Sequence, residues 1–242
     1  MTSRNIDAVI FDLDNTLTDF MLTKQNAIRA AVAAMIDTGL LVGHEEATRR
    51  VFAIYKDKGI EHQRVFNIFL EEALGEVDDR ILAAAVVAYR RARDGSLVVY
   101  PHTHLVLNRL LKEGYKLALV SDAPRFEAWL RLCYLGLHHA FDLVVTYDDT
   151  GHRKPRPEPF LSALDRLDVP PQRAVMVGDW PERDVVGGKA AGLHTVYARY
   201  GDQLYEFGNR TERGPSGADF EIDDLLELLG VLDRLNGRSV TT

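Results

Sequence analysis

From residue 99 onward the chain alternates strand and helix so regularly that few folds remain open to it. The segments "YKLALVSD", "FDLVVTYDD", "RAVMVGDW" and "HTVYA" are short and apolar, as buried strands are. Around them fall helical stretches: residues 105–112, "FEAWLRLCYLGL", "PEPFLSALDRLDV" with prolines in its first turn, and "DVVGGKAAGL". Near the end, "ADFEI" reads as a short strand and "DDLLELLGVLDRL" as a helix that begins on acids, as the helix dipole favours. Alternation of this kind predicts a parallel sheet with helices on both faces. The expected fold class is therefore α/β, a Rossmann-like doubly wound parallel sheet.

One strand stands apart. Residues 6–11 are mostly apolar and match the sheet in character. Residues 21–96, which follow, contain no proline and keep helical periods at Ile28, Val32, Met35 and Ile36, at Val65, Phe69 and Ala73, and at Leu82, Val86 and Tyr89. Gly39, Gly43, Gly59 and Gly75 punctuate this block. The reading is a bundle of about four helices inserted after the first strand. It predicts a core domain over 1–18 and 99–242 and a helical domain over 19–98. Residues 200–218 read as a polar loop.

Composition narrows the function. The 242 residues suit one large domain or one with an insertion. The net charge of −7 argues against non-specific nucleic-acid binding. The single cysteine, Cys133, excludes an intramolecular disulfide, and its apolar neighbours predict a buried, inert thiol. The opening "MTSRNIDAVIF" does not read as a signal peptide, because Asp7 interrupts a short apolar run. No run approaches the ~18 apolar residues of a membrane span. A soluble, cytoplasmic protein without a membrane partner is expected.

In open parallel sheets ligands bind beyond the carboxyl ends of the strands. Polar residues gather at those ends. The first strand runs into Asp12, Asp14, Asn15 and Thr16; another ends in Ser121 and Asp122; a third ends in Asp179, with Asp184 five residues on. Lys154 precedes a helix between the last two. Several carboxylates without a Cys or His cluster favour a hard cation, with Mg²⁺ the natural choice. A hydroxyl, an ammonium and helix N-termini suit a phosphate. A carboxylate beside both can attack phosphorus, and a second one two residues away can carry the proton.

The order of these segments resembles the haloacid dehalogenase-like (HAD) hydrolase superfamily. "FDLDNTL", "LVSD", "KPRPEPF" and "VGDWPERD" look like its four motifs in sequence order. The resemblance implies that Asp12 is a nucleophile forming an aspartyl-phosphate and that Asp14 is the general acid/base. Ser121 and Lys154 would bind the transferring phosphoryl group. Mg²⁺ would be held by Asp12, the Asp14 backbone carbonyl and Asp179, with Asp184 a more variable ligand. The helical insertion would be a C1-type cap that closes over the site. The substrate would be a small phosphorylated metabolite, and the protein a monomer or homodimer. Asp14 together with Thr16 favours phosphoryl transfer over carbon–halogen cleavage. A phosphomutase of the β-phosphoglucomutase type stays open, as do a haloacid dehalogenase and a non-catalytic binding protein. Asn15 stands where a glycine is common and Asp122 where an asparagine is frequent.

Blander readings stand beside these. Asp12 and Asp14 could form a solvated turn, Ser121 an N-cap, Lys154 a surface lysine, and Asp184 a first-turn acid. Asp148 and Asp149 could lie near the metal or in a solvated turn. His62, Gln63 and Arg64 could reach a substrate or simply begin a surface helix. Lys24, Lys56 and Lys58 occupy the insertion, where phosphonate-cleaving relatives carry a Schiff-base lysine, but their spacing gives that role no support. His102, His104, His138, His139 and His152 show no metal spacing. Trp180 would pack the site or the core.

Overall fold

The computed structural model of the protein describes residues 4–202 and 215–238. The chain divides into two compact units, Met1–Asp19 with Val98–Thr242, and Phe20–Leu97. Most of the 200–218 segment that reads as a polar loop lies outside the described residues.

In the first unit, β1 (Ala8–Phe11) is followed after the inserted unit by α5 (Thr103–Lys112), β2 (Lys116–Ser121), α6 (Arg125–Tyr134) and β3 (Leu143–Thr146). Then come the single-turn α7 (Tyr147–Thr150), α8 (Glu158–Leu167), β4 (Ala174–Gly178), α9 (Val186–Ala190), β5 (His194–Ala198), β6 (Phe220–Ile222) and α10 (Glu227–Leu235). The six strands form one sheet in the order β3-β2-β1-β4-β5-β6, and every neighbouring pair is parallel. This is the doubly wound arrangement. Successive residues of a strand face opposite sides, and both sets are buried here. Ala8, Ile10, Ala118, Val120, Ala174 and Met176 share a core with Phe160, Ala163 and Leu164 of α8. Val9, Phe11, Leu117, Leu119, Val175 and Val177 point the other way and are equally buried. A sheet covered on both faces explains why its strands read as nearly unbroken apolar runs.

The strand order reverses direction between β1 and β4, because β2 and β3 lie on one side of β1 and β4 to β6 on the other. A crevice opens beyond the carboxyl ends at such a point. Asp12 and Asp179 are the residues that follow these two strands. Their loops are tied at once, since the Asp12 N–H donates to the Val177 carbonyl at 2.9 Å.

The second unit consists of α1 (Phe20–Asp37), α2 (His44–Lys58), α3 (Val65–Leu74) and α4 (Asp79–Ser96). Its core is built from the apolar faces of all four, including Ile28, Val32, Met35, Val51, Phe69, Leu70 and Ile81. Asp78 caps α4, accepting the Arg80 and Ile81 N–H groups at 2.8 and 3.1 Å. Lys24 occupies the apolar face of α1 beside Ala27, Ile28 and Ala31. It is buried with its ammonium 4.1 Å from the Tyr55 ring centroid and 5.3 Å from that of Tyr89. Gln63 and Arg64 are exposed at the start of α3, and Lys56 and Lys58 are exposed on α2.

Two expectations change. Cys133 is exposed, not buried. On α6 the inward residues are Ala128, Arg131 and Leu132, and the helical period carries position 133 off that face. Apolar neighbours in sequence do not bury a residue that the helix turns outward. The acids Asp148 and Asp149 belong to neither the metal group nor a plain solvated turn. Asp149 accepts the Thr146 N–H and hydroxyl at 2.8 and 2.7 Å and thereby caps α7, while Asp148 accepts the Arg125 N–H at 2.6 Å and caps α6 from outside.

The Cys133 placement has a direct check. The thiol of the native protein is expected to react with a maleimide to completion without denaturant, and C133S is expected to unfold within ~0.5 kcal/mol of the parent in urea. In contrast F160A, which empties a fully buried position in the sheet–α8 core, is expected to cost about 3–5 kcal/mol.

Candidate active site

Asp12, Asp179 and Asp184 converge, each offering a carboxylate oxygen within 4.8 Å of the others. All three are buried. Lys154 lies among them, its ammonium donating to Asp12 Oδ1 at 2.5 Å and to Asp184 Oδ1 at 2.7 Å. Four ionisable groups thus share one buried cluster, three acids against one cation.

Each reaches the cleft for a local reason. Asp12 continues the fully buried β1. Asp179 continues β4, and its Oδ1 accepts the Thr16 hydroxyl at 3.2 Å. Asp184 comes from the wide turn Pro181–Val185, where it folds back so that its Oδ2 accepts the Trp180 N–H at 3.0 Å. The fold-back needs Gly178, because a Cβ there would lie 2.3 Å from the Asp184 carboxylate. That contact is the steric reason for glycine in "VGD". Asn15 adopts φ 61°, a left-handed conformation that glycine and asparagine tolerate best. So asparagine in place of the common glycine leaves the turn after β1 intact.

Lys154 is oriented from behind. Asp122 Oδ1 accepts the Lys154 N–H at 2.9 Å, and Asp122 Oδ2 accepts Arg183 Nη1 at 3.2 Å. The Arg183 guanidinium stacks 3.6 Å from the Trp180 ring centroid. The role of Asp122, open from sequence, is to tie the end of β2 to the lysine loop. Ser121 is buried at the end of β2, beside β1, and its Oγ accepts the Ala123 N–H at 3.2 Å. It therefore does not cap α6. Asp14 sits two residues beyond Asp12, with Oδ2 accepting Arg131 Nη1 at 3.0 Å. Arg131 was absent from the sequence-derived site. Its signal was present: an arginine at helical spacing with Ala128 and Leu132 on an apolar face.

Electrostatics follow from burial. Burial pushes the Asp179 carboxyl well above its usual range, and the charges of Asp12 and Asp184 push the same way. Burial likewise raises Asp184 to about 6, against the pull of Lys154. Asp12 is also raised by burial, with Lys154 opposing. Burial alone would lower Lys154, but Asp12, Asp184 and Asp122 outweigh it and hold the ammonium charged. A cleft with more buried acid than cation, whose carboxyls hold protons above their ordinary range, is short of positive charge. This donor set fits a hard divalent ion. Among the described residues no other group of acids, histidines or cysteines meets this test. His102 pairs with Asp224 at 2.8 Å, and the His138 and His139 rings lie 3.9 Å apart, tilted at 51° to each other.

Two outcomes follow from this balance. A carboxyl raised on folding makes the native state bind more protons than the unfolded chain between the ordinary value near 3.8 and about 6. Stability without metal should therefore fall as pH rises through that window, with Asp184 contributing on the order of 3 kcal/mol. Thermal melts in EDTA should show the fall, D184N should lessen it, and Mg²⁺ should raise Tm more at pH 7.5 than at pH 5. Replacing the cation, K154M, should cost about 3–5 kcal/mol in EDTA, because it leaves buried carboxylates uncompensated.

Comparisons with known proteins agree with the geometry. Residues 6–192 match the family model described as haloacid dehalogenase-like hydrolase. The chain is 36% identical over 232 residues to the glyceraldehyde 3-phosphate phosphatase of Methanopyrus kandleri, covering 95% of this chain and 98% of that one. It is 28% identical to the pyrophosphatase PpaX of Bacillus mycoides, over 96% and 99% of the two chains. The crystal structure of a HAD phosphatase from Thermococcus onnurineus superposes with TM-score 0.68 at 29% identity, over 94% and 98% of the chains. With its parallel sheet, its four ordered motifs and its buried acids around a lysine, the chain belongs to the haloacid dehalogenase-like hydrolase family.

Proposed function

We propose that the protein is a Mg²⁺-dependent phosphatase that hydrolyses a small phosphorylated metabolite through an aspartyl-phosphate on Asp12. The observation that carries the reading is the Asp12–Lys154–Asp184–Asp179 cluster, placed where β1 and β4 diverge. Asp12, Asp179 and Asp184 are the side chains that would hold Mg²⁺, with the Asp14 backbone carbonyl. When bound, the ion would supply positive charge for the phosphoryl oxygens and for Asp12.

In the first step an Asp12 carboxylate oxygen bonds to phosphorus and the bond from phosphorus to the ester oxygen breaks. The leaving oxygen takes a proton from Asp14. In the second step water bonds to phosphorus, gives its proton to Asp14, and frees the Asp12 carboxylate. Lys154 and Ser121 bind the phosphoryl oxygens, and Lys154 already meets Asp12 at 2.5 Å. Asp14 accepts Arg131 in this structure, so delivering a proton requires its carboxyl to turn from the guanidinium. Phe20–Leu97 is the cap in this reading, and it sets which ester is accepted.

Glyceraldehyde 3-phosphate and related triose phosphates are the first substrates to try, since the relative from Methanopyrus kandleri bears that name. Inorganic phosphate release across small sugar phosphates, phosphoglycolate, nucleotides, pyrophosphate and polyol phosphates, with Mg²⁺ and with EDTA, tests it. Release is expected with Mg²⁺ alone, and D12N should abolish it by about a thousandfold or more. Survival of activity in D12N would rule out the aspartyl-phosphate. Isomerisation of a sugar phosphate without phosphate release would favour the phosphomutase instead, and halide release without Mg²⁺ the dehalogenase.

A further inference from the structure

We propose that Tyr200 and Gly201 are positioning residues of the active site: a turn after β5 that staples the loop after β1 to the loop after β4. The inference rests on reading Asp12, Asp14 and Asp179 as the working carboxylates.

The turn Arg199–Gly201 follows β5 directly. In the sheet β5 borders β4, not β1. Even so, the turn reaches the loop after β1. The Tyr200 hydroxyl donates to the Thr16 carbonyl at 2.8 Å. Gly201 packs so closely that a Cβ would lie 1.6 Å from the Asn15 carbonyl oxygen and 2.9 Å from the Asp179 Cβ. One residue thus touches both carboxylate-bearing loops, and its neighbour grips the next carbonyl along. No side chain larger than hydrogen fits between them.

A staple works only if it is itself fixed. Arg199 pairs with Asp223 and, at 3.5 Å, with Glu221. The Tyr197 hydroxyl donates to Asp202 Oδ2 at 2.6 Å, and both residues are buried. Tyr100 packs edge-on against Tyr200 with centroids 5.1 Å apart. The turn is held on both flanks and on one ring face.

What it holds is also tied elsewhere: the Asp12 N–H donates to the Val177 carbonyl at 2.9 Å, and Asp14 Oδ2 accepts Arg131. The loop after β1 has its own bonds, Asn15 N–H to the Thr18 carbonyl at 2.7 Å and Leu17 N–H to the Leu13 carbonyl at 3.0 Å. These fix its internal shape but not its distance from Asp179. Across that gap the Thr16 hydroxyl donates to Asp179 Oδ1 at 3.2 Å. Tyr200 and Gly201 add a further link from a third strand end, which helps to set the spacing a divalent ion would need.

Y200F and G201A of the full chain test this by two readouts. In EDTA, hydrogen exchange of the Asn15 and Leu17 amides should speed up at least tenfold in Y200F, with the amides of β2 and β3 unchanged. In a Mg²⁺ titration followed by tryptophan fluorescence, with Trp180 adjacent to Asp179, the midpoint should rise about tenfold in Y200F and further in G201A. In the phosphatase assay kcat should fall while KM stays within about twofold. Unchanged exchange and an unchanged Mg²⁺ midpoint in Y200F would overturn the proposal, and so would a uniform speeding of exchange through the whole sheet, which marks a purely structural tyrosine. If G201A does not fold, Y200F decides alone. If the parent chain releases phosphate from no ester, the proposed function falls, while the exchange measurement still decides the staple.

Discussion

The structure depends most on one buried cation. Lys154 sits between Asp12 and Asp184, with Asp179 close by. Without it, three carboxylates would be taken out of water with nothing to offset their repulsion, a loss of several kcal/mol per ion. With it, the cleft is still short of positive charge. That shortage suits a hard cation as ligand: the missing positive charge is left for it to supply. Burial raises Asp179 and Asp184, so a cation bound there would compete with protons for the same oxygens.

The surrounding fold holds this arrangement at the places where it would otherwise relax. Gly178 makes room for Asp184, and Asp122 holds the lysine loop from behind. Gly201 fills the seam between the loops after β1 and β4. Each contact is made from a different strand end, and the sheet supplies the common reference. The cost is strain avoided rather than stored. Glycine takes the two tightest contacts, and Asn15 takes the left-handed conformation it tolerates.

Much of this was legible without coordinates. A strand that ends on a small or acidic residue announces the carboxyl edge of a parallel sheet, and Asp12, Ser121 and Asp179 stand at such ends, with Lys154 just before a helix on the same edge. Periodicity over residues 21–96 marked the helical insertion for a similar reason: an amphipathic helix must repeat its apolar face to bury it. Where reading by neighbourhood replaced reading by period, it failed. Cys133 has apolar neighbours but lies off the inward face of α6. Arg131 and Lys24 look like ordinary surface charges, although each shares the spacing of an apolar face and is buried.

The sequence by itself determined the layered α/β architecture, the ordered motifs and the excess of acid at the strand ends, because all three are written in local pattern and residue chemistry. Only the tertiary structure decided the partners. That Lys154 bridges Asp12 and Asp184, that Arg131 holds Asp14, and that Gly201 lies against Asn15 and Asp179 depend on contacts between residues 22 to 186 positions apart. No local pattern encodes such distances. They are set by the order in which the strands pack.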